Sequence, residues 1–193
     1  MNTNYYEEVK KFIDKEFEEA GRPGHLKHLE RTVYWVKKLE EDPSEAILIA
    51  AYSHDADHAK RWKNSDPDET SEVKKKDFTD RVKLREHQER GAEIVKNFLE
   101  EKEAPNNLIK KVGKLISRDE FGGNREQDVV KDADSLSFLE NNVENFLDYS
   151  GNKFRKKDIE EKFDWMYNRI SSEEAKEIAK PWYIEAKKNL EKQ

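Results

Sequence analysis

The chain has 193 residues, the length of one domain at the usual ~150 residues apiece, and its 37 Lys and Arg against 43 Asp and Glu leave a formal net charge of −6. That balance argues against a dedicated nucleic-acid binder, which would show a basic excess or stripe, and zero Cys excludes disulfides, thiolate catalysis and Cys-ligated zinc. Charged residues reach 41% and hydrophobic ones only 34%, but four Trp, seven Tyr and nine Phe supply a lean core and speak against disorder.

Residues 5–20 place Tyr5, Val9, Phe12, Ile13 and Phe17 on one helical stripe, which Gly21 and Pro23 stop. A second helix over about 25–41 carries Leu26, Leu29, Val33, Val36 and Leu39 at three- and four-residue steps. Asp42, Pro43 and Glu45 then have the spacing of an N-cap, a first helical proline and a capping box. They predict one helix through AILIAAYSHDADHA, apolar all round until Ser53 and so buried in the centre of the domain. From Lys60 to about Arg85 the periodicity fails, and a polar stretch of that length reads as a lid or binding loop. Helical pattern resumes over about 86–103, follows Pro105 to about Ser117, and after the Gly122-Gly123 turn covers about 127–148 until Gly151. Two terminal helices follow. The first spans about 157–170, and the second opens with Ser171 and Glu174 in capping-box spacing and contains Pro181, which predicts a kink.

With no alternating strand pattern and no internal repeat, the fold class expected is all-α, a compact multi-helix bundle with a long polar lid loop and extra C-terminal helices. The expectation is one domain over 1–193, with a core at about 22–148 and a C-terminal helical extension at 149–193. No apolar run approaches ~18 residues, and the N-terminus lacks a signal-peptide pattern, so a cytoplasmic protein without membrane attachment is expected.

Glycine-rich phosphate loops and a GxSxG elbow are missing. The chemistry gathers around five histidines, His25, His28, His54, His58 and His87. In HDADH, His54 and His58 fall one helical turn apart with Asp55 three residues before His58, so one helix would put all three on one polar face. Two imidazoles and a carboxylate at the end of an apolar helix are costly to bury unless a divalent metal satisfies them; otherwise the helix simply reaches solvent there. The HExxH motif of zinc proteases also has two His one turn apart, but here Asp55 stands in the Glu position, one methylene shorter. His28 in HLER is a structural helix-start His or a ligand. Asp132 and Asp134 in KDADSLSFLE lie near the start of an apolar helix, where capping is the competing explanation.

Taken in order, GHLKHLERT around His28, the apolar helix ending in His54-Asp55, REHQERGAEIVKNFL and KDADSLSFLE resemble the HD-domain metal-dependent phosphohydrolase superfamily over roughly residues 22–140. The resemblance implies that His28, His54, Asp55 and Asp134 hold one divalent metal, with Asp132 left to capping. Some members bind a second ion through two further His, for which this chain offers His87 and, in place of the second, Asp119 of SRDEFGG. One or two ions per chain are therefore expected, drawn from Mn, Fe, Co, Ni, Zn or Mg. His58 departs from the Lys or Glu usual in the family and is a candidate proton donor beside the catalytic Asp55, or a solvated helix-end His. Phosphate contacts are sought among Arg61, Lys63, Lys74 to Lys76, Arg81, Arg85 and Arg118, with Arg61 and Arg118 favoured. The implied activity is hydrolysis of a phosphate ester or anhydride of a nucleotide or other small molecule. The alternatives are a dinuclear-iron HD-domain oxygenase and a non-catalytic nucleotide-binding HD module.

Overall fold

The computed structural model describes residues 4–64, 78–151 and 153–193. These residues form an all-helical bundle with no strand among them, only an isolated bridge between Ser150 and Phe154.

Helix α1 (Tyr5–Glu19) starts at Asn4, whose side chain accepts from Glu7 N at 3.3 Å, and its Tyr6 N–H is taken by Glu45 Oε1 at 3.1 Å. Its Val9, Ile13 and Phe17 are fully buried, as the apolar stripe requires. A single 3-10 turn (Pro23–His25) leads into α2 (Leu26–Leu39). The next helix, α3 (Glu45–Ser53), differs from expectation at both ends. Its N-cap is Ser44, not Asp42, and Glu45 spends its carboxylate on α1 instead of closing a capping box. At the far end the helix breaks. His54 and Asp55 form a turn, with Asp55 at φ −91°, ψ 16°, and a new helix α4 (Ala56–Lys63) begins after them. The HD pair therefore sits in a helix interruption and does not share one continuous helical face with His58.

Helix α5 (Arg81–Glu101) crosses this break, and Gly91 explains how it comes so close. A Cβ there would lie 3.1 Å from the His54 carbonyl oxygen. The helix starts five residues earlier than its apolar pattern suggests because Asp80 caps it, accepting from Val82 N and Lys83 N at 3.0 and 3.3 Å. Of the stretch read as a lid, residues 65–77, including Lys74, Lys75 and Lys76, lie outside the described residues.

Helix α6 (Asn106–Ile116) precedes α7 (Arg125–Asn141), which opens with a full capping box of Asn124 and Gln127. The helix expected over 127–148 is two, since α8 (Val143–Tyr149) restarts after Asn142. Then come α9 (Lys156–Asn168) and α10 (Glu173–Glu191), which continues through Pro181. Ser172 caps α10, accepting from Ala175 N at 3.2 Å, one residue beyond the predicted Ser171. Asp132 lies in the middle of α7, not near a helix start, and holds the backbone just before α10. Its two oxygens accept from Ser171 N and Ser172 N, both at 2.8 Å.

The centre of the bundle is α3 and α7. Helix α3 touches α1, α2, α6 and α7, while α7 packs mainly on α2 and α10. Residues outside 22–148 share the same core, with Phe17 on one side and Ile159, Phe163 and Ala179 on the other. Ten consecutive residues of α7, Val130 to Leu139, are buried, and five of them are polar or charged. Burying such groups is costly unless each has a partner or a function. Among the described residues no helix is long and apolar enough to cross a membrane.

Candidate metal centre

Ligand-bearing side chains come from several elements. His28 belongs to the first turn of α2, His54 and Asp55 to the break between α3 and α4, His87 to α5 and Asp134 to the middle of α7. Their charged ends meet in the interior. Asp134 Oδ1 lies 3.0 Å from His28 Nε2 and 3.4 Å from His54 Nε2. Asp55 divides its oxygens. Oδ2 faces His54 Nε2 at 3.6 Å, His28 Nε2 at 3.8 Å and His25 Nε2 at 2.7 Å, while Oδ1 faces His87 Nε2 at 3.3 Å and His58 Nδ1 at 3.5 Å. Three sets of donor atoms lie within 4.8 Å of one another: His25, His28 and Asp55; His28, His54 and Asp134; and Asp55, His58 and His87.

The far nitrogens fix which end of each ring is free. The Ser137 hydroxyl donates to the His28 carbonyl at 2.7 Å, so its oxygen accepts the Nδ1–H of His28 at 2.8 Å. His54 Nδ1 donates to the Ala51 carbonyl at 3.0 Å, and His87 Nδ1 donates to Asp57 Oδ2 at 3.1 Å. Asp57 is itself gripped by Arg90 through both oxygens, at 2.9 and 3.0 Å. All three rings are thus held with Nε2 pointing at the carboxylates, the arrangement that orients imidazole toward a metal.

The electrostatics fit a cation. Burial alone would lower His54, but Asp55 and Asp134 raise it to about 10. Burial also opposes protonation of His87, which Asp55 and Asp57 raise to about 10. Desolvation works against the charged forms of Asp55 and Asp134, yet the former, facing His54 and His58, and the latter, facing Arg169 and His54, stay well below the usual carboxylate range. Burial and the neighbouring Glu120 charge push Asp119 up to about 7. Positive charge is thus drawn into this pocket, and a divalent ion would displace the imidazole protons that otherwise supply it. Two orphaned atoms complete the fit: His54 Nε2 and Asp119 Oδ1 are buried with no hydrogen-bond partner. Imidazole nitrogen and carboxylate oxygen are natural ligands of divalent transition metals.

The structure brings His28, His54 and Asp134 into one close set, and Asp55 and His87 into another with His58. Asp119 is buried beside them, its charge felt at His54, His87 and Asp134, but it belongs to none of the three close sets. His58 stacks on His87 with ring centroids 4.3 Å apart, and burial pushes its imidazole down to about 3. Its Nδ1 has no hydrogen-bond partner and lies 3.5 Å from Asp55 Oδ1. Arg61 and Arg118 are exposed, and Arg61 is near enough for its charge to act on His58. Other basic candidates are engaged elsewhere, Lys63 with Glu16 and Glu19, and Arg81 and Arg85 over the Phe121 ring.

Sequence reasoning overlooked several residues. His25 carried a usable signal, one helical turn before His28. Ser137, Asp57 and Arg90 carried none, because their partners are fixed only by packing. Arg169, at the end of α9, is the largest omission: its guanidinium donates to Asp134 Oδ2 and Glu120 Oε2.

Fold and site together define a class: an all-helical domain built around a buried His/Asp cluster within reach of a divalent cation. The chain belongs to the DUF4202 family, a domain of unknown function, whose model matches residues 8–190. No curated protein and no solved structure matches it.

Proposed function

We propose that the chain is a metal-dependent phosphohydrolase of the HD-domain kind, hydrolysing a phosphate ester or anhydride of a nucleotide or other small molecule in the cytoplasm. One observation carries this reading: His28 Nε2 and His54 Nε2 both face Asp134 Oδ1, at 3.0 and 3.4 Å, and Asp55 Oδ2, at 3.8 and 3.6 Å, with the opposite nitrogen of each ring already bonded. Their order along the chain is the order of the superfamily that the sequence resembles.

A divalent ion held there supplies a water acidic enough to be a nucleophile near neutral pH and offsets charge on a phosphoryl oxygen. The residues of the chain do the remaining work. His28, His54 and Asp134, with Asp55, would hold one cation. Asp55 turns its other oxygen to His58 and His87, which favours a second position with Asp119 adjoining. His58, whose Nδ1 lies 3.5 Å from Asp55 Oδ1, would be the proton donor to the leaving oxygen. Arg61 and Arg118 supply exposed cations for the substrate phosphate. The N/O donor set accepts Mn, Fe, Co, Ni, Zn or Mg.

The test is elemental analysis of protein purified without chelator, joined to a phosphate-ester panel on wild type and Asp55→Ala. Near-stoichiometric metal and metal-dependent phosphate release are expected in the wild type, both lost in the variant. Full activity in Asp55→Ala overturns the proposal. Oxygen uptake by an iron-loaded protein without phosphate release identifies an oxygenase instead, and tight nucleotide binding without turnover a non-catalytic module.

A further inference from the structure

The C-terminal helices carry no predicted ligand, yet Arg169 sends its side chain inward from the end of α9 until it is only 5% exposed. Three groups receive it. One guanidinium nitrogen donates to Asp134 Oδ2, another to Glu120 Oε2, and Nε donates to Ser135 Oγ at 2.8 Å. Glu120 is further held by Trp165 Nε1 at 3.2 Å. Asp134 thus gives one oxygen to Arg169 and keeps the other, Oδ1, against His28 and His54. Glu120 is the neighbour of Asp119, whose Oδ1 is orphaned and buried. A single planar fork joins the middle of α7 to the turn after α6, the two places that present the later acidic candidates.

We infer that Arg169 is the positioning residue of the metal centre: it selects which Asp134 oxygen faces the ion and ties the Asp119–Glu120 turn to the same frame. This rests on the metal-site reading above. The guanidinium suits the task because its donors are rigidly arranged and can engage two carboxylates at once, which a lysine ammonium on a flexible stem reproduces poorly. It also places a fixed positive charge among Asp134, Glu120 and Asp119, so that these acids can lie close without an ion bound. Outer partners of this sort typically govern metal affinity by ~10–100-fold.

The test compares Mn²⁺ and Co²⁺ affinity, together with the visible spectrum of the Co²⁺ form, in the full-length wild type, Arg169→Gln, Arg169→Lys and Asp132→Asn. Asp132 ties the segment leading into α10 to α7 without touching the cluster, so its variant reports loss of C-terminal docking alone. Arg169→Gln is expected to weaken both ions by ~10–100-fold with an altered Co²⁺ spectrum. Arg169→Lys should recover part of the affinity, and Asp132→Asn should lower Tm while keeping wild-type affinity and spectrum. Wild-type affinity and spectrum in both Arg169 variants overturn the inference, as does equal metal loss in Asp132→Asn. Should Arg169→Gln fail to fold, Arg169→Lys against Asp132→Asn gives the same decision. A wild-type chain that binds neither ion defeats the metal-site reading itself, an outcome distinct from metal binding that ignores Arg169.

Discussion

Ser137 shows how much of the centre depends on groups that never face the cation. Its hydroxyl has one proton, given to the His28 carbonyl, so its lone pair must take the His28 Nδ1 proton. Replacing it with Ala frees the ring to adopt either tautomer and leaves the buried Nδ1 unsatisfied. Ser137→Ala is expected to weaken metal binding by ~10-fold or more, with helical content unchanged, as read by titration and circular dichroism. Unchanged affinity would mean that the His28 tautomer is set by something else. The ligands and their partners differ in legibility for a physical reason. His54 and Asp55 announce themselves because polar residues at the end of an apolar run demand an explanation. Ser137 is an ordinary helix residue until α2 packs against it, and Arg169 looks like any surface arginine of a charge-rich chain.

Helices were easier to read than their ends. Apolar stripes such as Val9, Ile13 and Phe17 follow from the period alone, whereas capping depends on which side chain finds which N–H in three dimensions. Glu45 binds the start of α1 and Asp132 binds Ser171 N and Ser172 N ahead of α10, long-range partners that local spacing around α3 and α10 does not show. The break at His54-Asp55 was hidden for a similar reason: the sequence around it favours helix, and the interruption lies where α5 makes its close approach at Gly91. That contact gives a test at this scale. In Gly91→Ala the added methyl would sit 3.1 Å from the His54 carbonyl oxygen, forcing α5 or the break to move by a few tenths of an ångström. Overpacking of this kind costs ~1–3 kcal/mol, for a Tm loss of ~2–4 °C per kcal/mol in a chain this size. Because the displaced atom belongs to the ligand-bearing turn, metal affinity should fall as well. A stable variant with wild-type affinity would show that the close approach is incidental.

For the whole molecule, the fold and the centre are one construction. Helices α2, α5 and α7 and the α3–α4 break each contribute donors, so an ion held by them would bind the folded chain and have no comparable site in the unfolded one. Binding must then add stability of ~2.7 kcal/mol when free metal is a hundredfold above Kd, a Tm rise of ~5–11 °C at ~2–4 °C per kcal/mol. Chelator should reverse the rise, and Asp55→Ala should abolish it; an equal rise in that variant would place the ion elsewhere. The general class, all-helical with a polar heart, was legible from composition and periodicity. The participation of the last two helices was not, since nothing in residues 149–193 resembles a ligand motif.

Arg169 lies 35 positions beyond the carboxylate it grips. A ribosome working at ~5–20 residues per second needs roughly two to seven seconds to bridge that gap. Throughout that interval the nascent polypeptide already contains every histidine and Asp134 but not the guanidinium that grips Asp134. The contacts of Arg169 with Asp134 and Glu120 can therefore close only after the tail has folded back.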